Sequence, residues 1–392
     1  MDVVLEIADT FLFDRLYANV LPISSALLSS FDPISTITAS LKSYDWNNAT
    51  FSVDSSASSR MAAEGGFGGF GSARSGWQWQ PSTQWFTLPP SEWAWMSRWD
   101  RDNVYRQTLS LYAITWLLGT AIYFFFATLS YLFVFDKATF NHPKYLKNQI
   151  RLEIQQTLRS IPLMAILTVP VFVAEIRGHT FIYDDIAHAG FTHPLLAFFG
   201  PSYNYLQFPF FLIFTDFCIY WIHRGLHSKL LYKHLHKPHH KWIMPTPFAS
   251  HAFHPLDGYA QSIPYHLFPF LFPLHKGAYL ALFTFVQIWT VMIHDGEYVA
   301  NSQILNGAAC HTMHHLYFNY NYGQFTTISD RLFGSYRKPN EELFQRETKM
   351  SGLEWGRQAR EMERLVVEVE GEDDRKYGTE EGMIGAVGKK MQ

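Results

Sequence analysis

LSLYAITWLLGTAIYFFFATLSYLFVF, residues 109–135, runs for 27 residues without one Asp, Glu, Lys or Arg. A helix needs about 20 apolar residues to cross the hydrocarbon core of a bilayer, so this stretch is read as a transmembrane helix and decides the class of fold. Three further segments extend the pattern. Residues 161–174 are apolar but carry Pro162 and Pro170, which suits a partial or kinked span or a buried helix. Residues 195–215 are free of charge and run on through Asp216 to Ile222. Residues 261–293 carry a single charge, Lys276, and Pro269 and Pro273 should break them into two halves of a membrane hairpin.

Composition agrees. Asp, Glu, Lys and Arg make up 17% of the 392 residues, against about 25% in soluble proteins, and aromatic residues make up another 17%. The mean hydropathy of −0.07 is an average of unlike parts. Residues 341–392 alone hold 13 acidic and 9 basic side chains, which leaves the body charge-poor. A net charge of −3 gives no basic stripe and argues against a nucleic-acid partner. Two cysteines, Cys218 and Cys310, make no disulfide framework. Residues 1–22 contain Asp2, Glu6, Asp9, Asp14 and Arg15, unlike a cleaved signal peptide, so this segment should be retained.

Charge asymmetry orients the spans. Lys137, Lys144, Lys147, Arg151 and Arg159 outnumber acids in the loop after residue 135, whereas Glu175, Asp184 and Asp185 dominate the next loop. The first loop reads as cytosolic and the second as lumenal. Arg224, Lys229, Lys233, Lys237 and Lys241 then put the following block back in the cytosol and the N-terminus in the lumen, where Asn48-Ala-Thr is a glycosylation sequon. The Gly/Ser-rich residues 52–75 read as a flexible insert. Residues 77–99 hold six of the twelve tryptophans and read as an interfacial segment rather than a sugar or choline site.

Fourteen of the eighteen histidines fall within residues 223–315. Three boxes stand out: His223-Arg-Gly-Leu-His227, His236-Lys-Pro-His239-His240 and His311-Thr-Met-His314-His315. Helical neighbours three or four residues apart have Cβ atoms about 5–6 Å apart, so each box is half of a metal site. Eight imidazoles exceed the four that saturate a tetrahedral zinc, which favours two metal ions. Imidazole alone does not select among Zn, Cu, Fe and Ni; a membrane setting without a bridging-carboxylate ExxH pair suits iron that activates dioxygen on a lipid. His294 is a further candidate ligand, and His251 and His254 are weaker ones because Pro255 follows directly. His234, His266 and His275 read as structural. Asp216, Tyr220, His223 and His227 share a helical face, so Asp216 and Tyr220 are candidates for orienting the ligands. For Asp216, a buried acid bonded to a neighbouring helix is the other reading.

The fold expected is an all-α integral membrane protein with about four transmembrane helices, one of them readable as a hairpin, capped by a cytosolic histidine-rich helical di-metal domain. Its parts are an N-terminal region (1–108), transmembrane helices (109–222), a histidine-box domain (223–340) including the membrane segment 261–293, and a charged, solvated cytosolic tail (341–392).

The boxes resemble those of the membrane fatty acid hydroxylase and sterol desaturase superfamily. TDFCIYWIH (215–223), HKPHHKW (236–242), TPFASHAFHPLDG (246–258), TVMIHDG (290–296) and HTMHHLYFNYNYGQFTT (311–327) are similar to the fungal sterol C5-desaturases, as is the opening, residues 2–22. One departure is Ser329, where that family usually has tryptophan. The resemblance implies an endoplasmic reticulum enzyme with two iron ions on His223, His227, His236, His239, His240, His311, His314 and His315, and His294 as a ninth ligand. It would use O2 and electrons from NADH through cytochrome b5 and its reductase to place the C5–C6 double bond in a Δ7-sterol during ergosterol synthesis, among membrane lipids and other enzymes of that pathway. The alternatives are a hydroxylase acting on a sterol C4-methyl or fatty acyl group, and a nonenzymatic scaffold or metal-sensing paralogue.

Overall fold

The computed structural model describes residues 1–23, 78–189, 192–296, 302, 304–339 and 351–378. The insert 52–75, the sequon at Asn48, Trp77 and the ends of the charged tail lie outside them. The chain divides into two compact units, residues 1–117 with 168–180, and residues 118–167 with 181–392. These boundaries cut across the linear division drawn from composition.

In the first unit the N-terminus forms the helix Asp2–Ala8, a π-helical turn Asp9–Phe13 and the helix Asp14–Val20. At 3.6 residues per turn, positions five apart point in different directions; the wider turn, closed by Asp14 N–H donating to the Asp9 carbonyl, brings the two acids over one another. Both are buried, and both accept from one Nη of Arg106, at 2.8 Å and 2.7 Å. Arg101 makes a two-bonded fork onto Asp14, at 3.0 Å and 2.6 Å. Three of the four acids that argue against a signal peptide, Glu6, Asp9 and Asp14, are therefore core residues. Of the described tryptophans expected at an interface, Trp79 and Trp95 are buried and Trp85 is exposed, so this segment packs as well as coats.

Three helices among the described residues are long and apolar enough to cross a membrane: Val104–Phe133, Gln149–Ile176 and Pro194–Leu226. Leu117, Phe125, Leu132 and Phe133 on the first are 60%, 59%, 55% and 80% exposed, the pattern of a lipid-facing rather than a water-facing helix. The second runs as one helix of 28 residues through Pro162 and Pro170, longer than the partial span that was one of the readings there. Residues 261–293 are split, as expected, with Pro273 inside the break and Pro269 outside it. Pro264 and Pro269 lie inside the helix Pro255–Leu271, and the break falls at Phe272 before the helix Lys276–Met292. The two strand residues Leu274–His275 pair in parallel with Ile182–Tyr183 beside this break. At about 1.5 Å per residue, each 17-residue helix spans about 25 Å.

The second unit has a core built from Trp242, Ile243, Met313, Leu316 and Phe318, and Met362 and Val366 of the C-terminal helix Gly352–Glu370 belong to it. That helix was expected to be solvated. Its charges dominate a count, but Glu354, Gln358, Met362 and Val366 recur every fourth residue and form its buried face. After it, residues 371–378 lie against residues 145–147, with Lys147 N–H donating to the Lys376 carbonyl and Gly378 N–H to the Tyr145 carbonyl. The described part of the charged tail, residues 351–378, is therefore part of the folded domain.

His142 is held under this helix. Its Nδ1 accepts from Lys144 N–H and its Nε2 lies 3.3 Å from the Gln358 amide oxygen, an arrangement that suits the neutral ring. Burial pushes its pKa down to about 4 from 6.5. The unfolded chain therefore binds a proton between these values that the folded chain refuses, so His142 contributes stability that is present above pH 6.5 and lost as pH falls toward 4. We expect His142→Gln to flatten the fall in melting temperature between pH 7 and pH 5 relative to the wild type. Parallel pH profiles for the two proteins would contradict this.

Candidate metal centre

The first box ends the Tyr203–Leu226 helix, with His223 in its last turn and His227 as its C-cap. The second follows a π-helical turn, Tyr232–His236, and continues as Lys237–His240. The third lies on Ala308–Tyr317, a helix buried over its whole length. Phe318, in the left-handed region at φ 60°, ends it. His294 follows the Lys276–Met292 helix.

These elements converge. His223, His227, His236, His240 and His314 form one group, and His239, His294, His311 and His315 form another; in each group the ring nitrogens lie within 4.8 Å of one another. All nine histidines singled out from sequence as probable ligands are in them. The sequence does not reveal the partition: each of the second and third boxes divides its histidines between the groups. The groups abut, with the rings of His240 and His315 4.9 Å apart.

The hydrogen bonds at the back of the rings show what the front can hold. His223 Nδ1 donates to the Tyr322 carbonyl (3.0 Å), His236 Nδ1 to Asp257 Oδ2 (2.8 Å), His314 Nδ1 to the Tyr320 carbonyl (2.7 Å) and His294 Nδ1 to the Thr290 carbonyl (2.7 Å). Each proton is thereby fixed on Nδ1, and each Nε2 presents a lone pair. Yet His223 Nε2 and His236 Nε2 stand 3.1 Å apart. Two lone pairs at that distance repel unless a cation lies between them. In the other group His294 Nε2 stands 3.0 Å from His311 Nε2, and burial, then the neighbouring imidazoles, hold His239, His311 and His315 well below the usual 6.5. In addition, His227 Nε2, His239 Nδ1, His240 Nδ1 and His315 Nδ1 are buried without a hydrogen-bond partner. Buried polar nitrogens left this way are costly; ligation would satisfy such an atom only where it is the one that meets the ion, and His240 and His315 face their groups through Nε2. The residues fit two metal ions.

Other candidates fall elsewhere. His254 caps the Pro255–Leu271 helix by accepting from Leu256 N–H, and His251 pairs with Ser250 and with the Gln287 amide oxygen (2.8 Å), so neither joins a group. Asp216 does not meet an imidazole among the described residues; its carboxylate accepts from the N–H groups of Gln324, Phe325 and Thr326 and from the Thr326 hydroxyl. It fixes the loop after the third box, so it is a structural acid bonded to a loop rather than to a neighbouring helix. Tyr220 bonds Ser335 and Arg224. The carboxylate that does meet a ring is Asp257, which sequence reasoning missed. Its signal was a fully buried acid's worth of charge in the charge-poor string HPLDG, four residues before Gln261. His275, read as structural, caps the Lys276–Met292 helix. Ser329 is buried, so the chain closes over the position where tryptophan was expected.

Both groups open on one cavity. His223 of the first and His239, His294 and His311 of the second line it, together with Ile219, Phe253, Tyr265, Phe283, Val286, Ile293, Gln261, Ser262 and the His251–Gln287 pair. Its walls are mostly apolar, with a few amides and hydroxyls between. Its volume is about 130 Å³.

Residues 208–335, which contain all nine grouped histidines, match the fatty acid hydroxylase family. The chain is 58% identical over 381 residues to the Delta(7)-sterol 5(6)-desaturase erg3A of Aspergillus fumigatus, covering 97% of this chain and 98% of that protein. It is 57% identical over 377 residues to the Delta(7)-sterol 5(6)-desaturase of Leptosphaeria maculans (96% and 97% covered) and 46% identical over 406 residues to Delta(7)-sterol 5(6)-desaturase ERG3 of Candida albicans (96% and 99%). No solved structure matches it. With identity sustained across nearly the whole length, and the two histidine groups inside the matched segment, the chain belongs to the Delta(7)-sterol 5(6)-desaturase family.

Proposed function

We propose that this chain is an oxidoreductase that introduces the C5–C6 double bond into a Δ7-sterol in ergosterol biosynthesis, using two iron ions, O2 and electrons passed from NADH through cytochrome b5. The observation that carries this reading is the pair of all-histidine groups opening on one apolar cavity. Iron on these nitrogens supplies the dioxygen chemistry needed to take hydrogen from an unactivated C–H. The chain does the rest. Nδ1 anchors to carbonyls and to Asp257 hold four rings in orientation, so their Nε2 atoms need no rearrangement to bind. Phe253, Tyr265, Phe283, Val286 and Ile293 keep water from the reacting carbon. The cavity is smaller than the roughly 300 Å³ of a small-molecule site, so it takes one edge of a fused ring system while the remainder stays among membrane lipids.

A second cavity, of about 690 Å³, has Lys147, Lys233, Lys237, Lys241, Arg375 and Lys376 in its lining against Asp374, with Pro238 of the second box at its wall. An excess of positive charge this close to the ligands suits docking of an acidic electron carrier such as cytochrome b5. The basic block also supports placing the boxes on the cytosolic face of the endoplasmic reticulum.

Microsomes lacking their own sterol C5-desaturase, supplied with this chain, NADH and a Δ7-sterol, test the reading. The expected product is the 5,7-diene. A hydroxylated sterol or acyl chain without the diene would replace it with hydroxylation, and no turnover by an iron-loaded protein would favour a scaffold.

A further inference from the structure

Asp257 touches two things at once. Its Oδ2 accepts from His236 Nδ1 at 2.8 Å, and its Oδ1 accepts from Gln261 Nε2 at 2.7 Å, one turn further along the Pro255–Leu271 helix. Asp257 and His236 are both fully buried, and Gln261 lines the cavity shared by the two histidine groups. One short chain of hydrogen bonds therefore runs from the cavity wall to a ring of the five-histidine group. Among the described residues of the two groups, His236 is the one whose ring meets a carboxylate; the other anchored rings rest on backbone carbonyls.

The difference matters physically. A backbone carbonyl is held by its own chain and answers only to movement of that chain. A carboxylate is a charged acceptor that bonds more strongly and raises the basicity of the ring it holds. Its second oxygen is set by Gln261, whose amide is a flexible group at the cavity wall. A molecule filling the cavity restrains that amide and so restrains Asp257 and His236 behind it.

We propose that Asp257 is the positioning residue of the five-histidine group and that Gln261 couples occupancy of the cavity to metal retention there. This rests on the two-metal reading given above and adds an asymmetry to it: the five-histidine group responds to the substrate through a side-chain relay, while the four-histidine group does not contain the relay.

The test counts metal on purified full-length protein and follows its loss to a chelator, with and without a Δ7-sterol. Wild type should hold two ions per chain, and the sterol should slow release of both: of one by covering His239, His294 and His311 directly, of the other through the relay. Asp257→Ala should lower affinity for one ion by about 10–100-fold, leaving about one per chain after the same chelation, while Asp257→Asn, whose amide oxygen can still accept from His236, should recover most of it. Gln261→Leu should keep both ions but lose the sterol's effect on release of one of them. Loss of both ions in Asp257→Ala, or of neither, would overturn the positioning role, and an undiminished sterol effect in Gln261→Leu would overturn the coupling. A wild type with no bound metal would instead remove the two-metal reading itself.

Discussion

His311→Ala should lower formation of the 5,7-diene by more than about 100-fold. The ring stands at the centre of the four-histidine group, with Nε2 at 3.0 Å from His294 Nε2 and 3.1 Å from His315 Nε2, and it also lines the cavity. Removing it takes one nitrogen from four and leaves a buried void with no replacement donor. Loss of a residue that merely supports a ligand costs about 10–100-fold, so loss of the ligand itself exceeds that range. His254→Ala provides the contrast. That ring only caps a helix, by accepting from Leu256 N–H, and its loss should cost about 1 kcal/mol of stability with metal content unchanged. Diene formation in microsomes, with expression matched by immunoblot, reads both variants. Activity in His311→Ala within tenfold of wild type would remove this ring from the site.

The largest effect on stability is expected in the first unit. Arg106 is 1% exposed and joins Asp9 and Asp14, which are equally buried. In Arg106→Leu, Asp14 keeps Arg101, but Asp9 loses the guanidinium that bonds it. Leaving a buried charge uncompensated costs about 3–5 kcal/mol. Arg106→Lys keeps the charge beside both acids but loses the second Nη, which donates to the Trp99 carbonyl, so its loss should be smaller. Thermal unfolding in detergent measures the series, with Asp9→Asn added to Arg106→Leu as the repair, since it removes the stranded charge. A loss below about 1 kcal/mol in Arg106→Leu would mean that water reaches the acids.

The site was legible in sequence to an unusual depth, and the reason is chemical. Imidazoles at spacings of three and four have few explanations once there are three such boxes, so the eight box histidines, with His294, could be named from the string as the rings that the fold gathers. Which ring shares a metal with which could not. His239 and His240 are adjacent in sequence yet fall in different groups, because neighbouring residues on a helical turn point apart and the choice is made by elements distant in the chain. Asp257 was hidden for a similar reason, since its partner His236 is 21 residues away. Asp216 was visible but ambiguous, and the loop that it holds lies more than 100 residues downstream.

The fold was legible where hydropathy acts alone and obscure where it competes. Residues 109–133 lie in one helix, as expected. Pro162 and Pro170 suggested a partial or kinked span where the helix runs on for 28 residues, and Pro269 suggested a turn three residues early. In the C-terminal helix, a net count of charges masked a four-residue repeat that ends in Met362 and Val366. Periodicity predicts burial better than composition does when the apolar face is narrow.

The central claim is that nine imidazoles, eight of them buried, hold two iron ions that serve the desaturation. Iron counted per chain in protein purified without added metal, alongside its diene-forming rate, tests this most directly. The account predicts two irons per chain, with a rate that falls in step as iron is withdrawn and recovers when it is restored. Full activity in protein holding fewer than one iron per chain would contradict it.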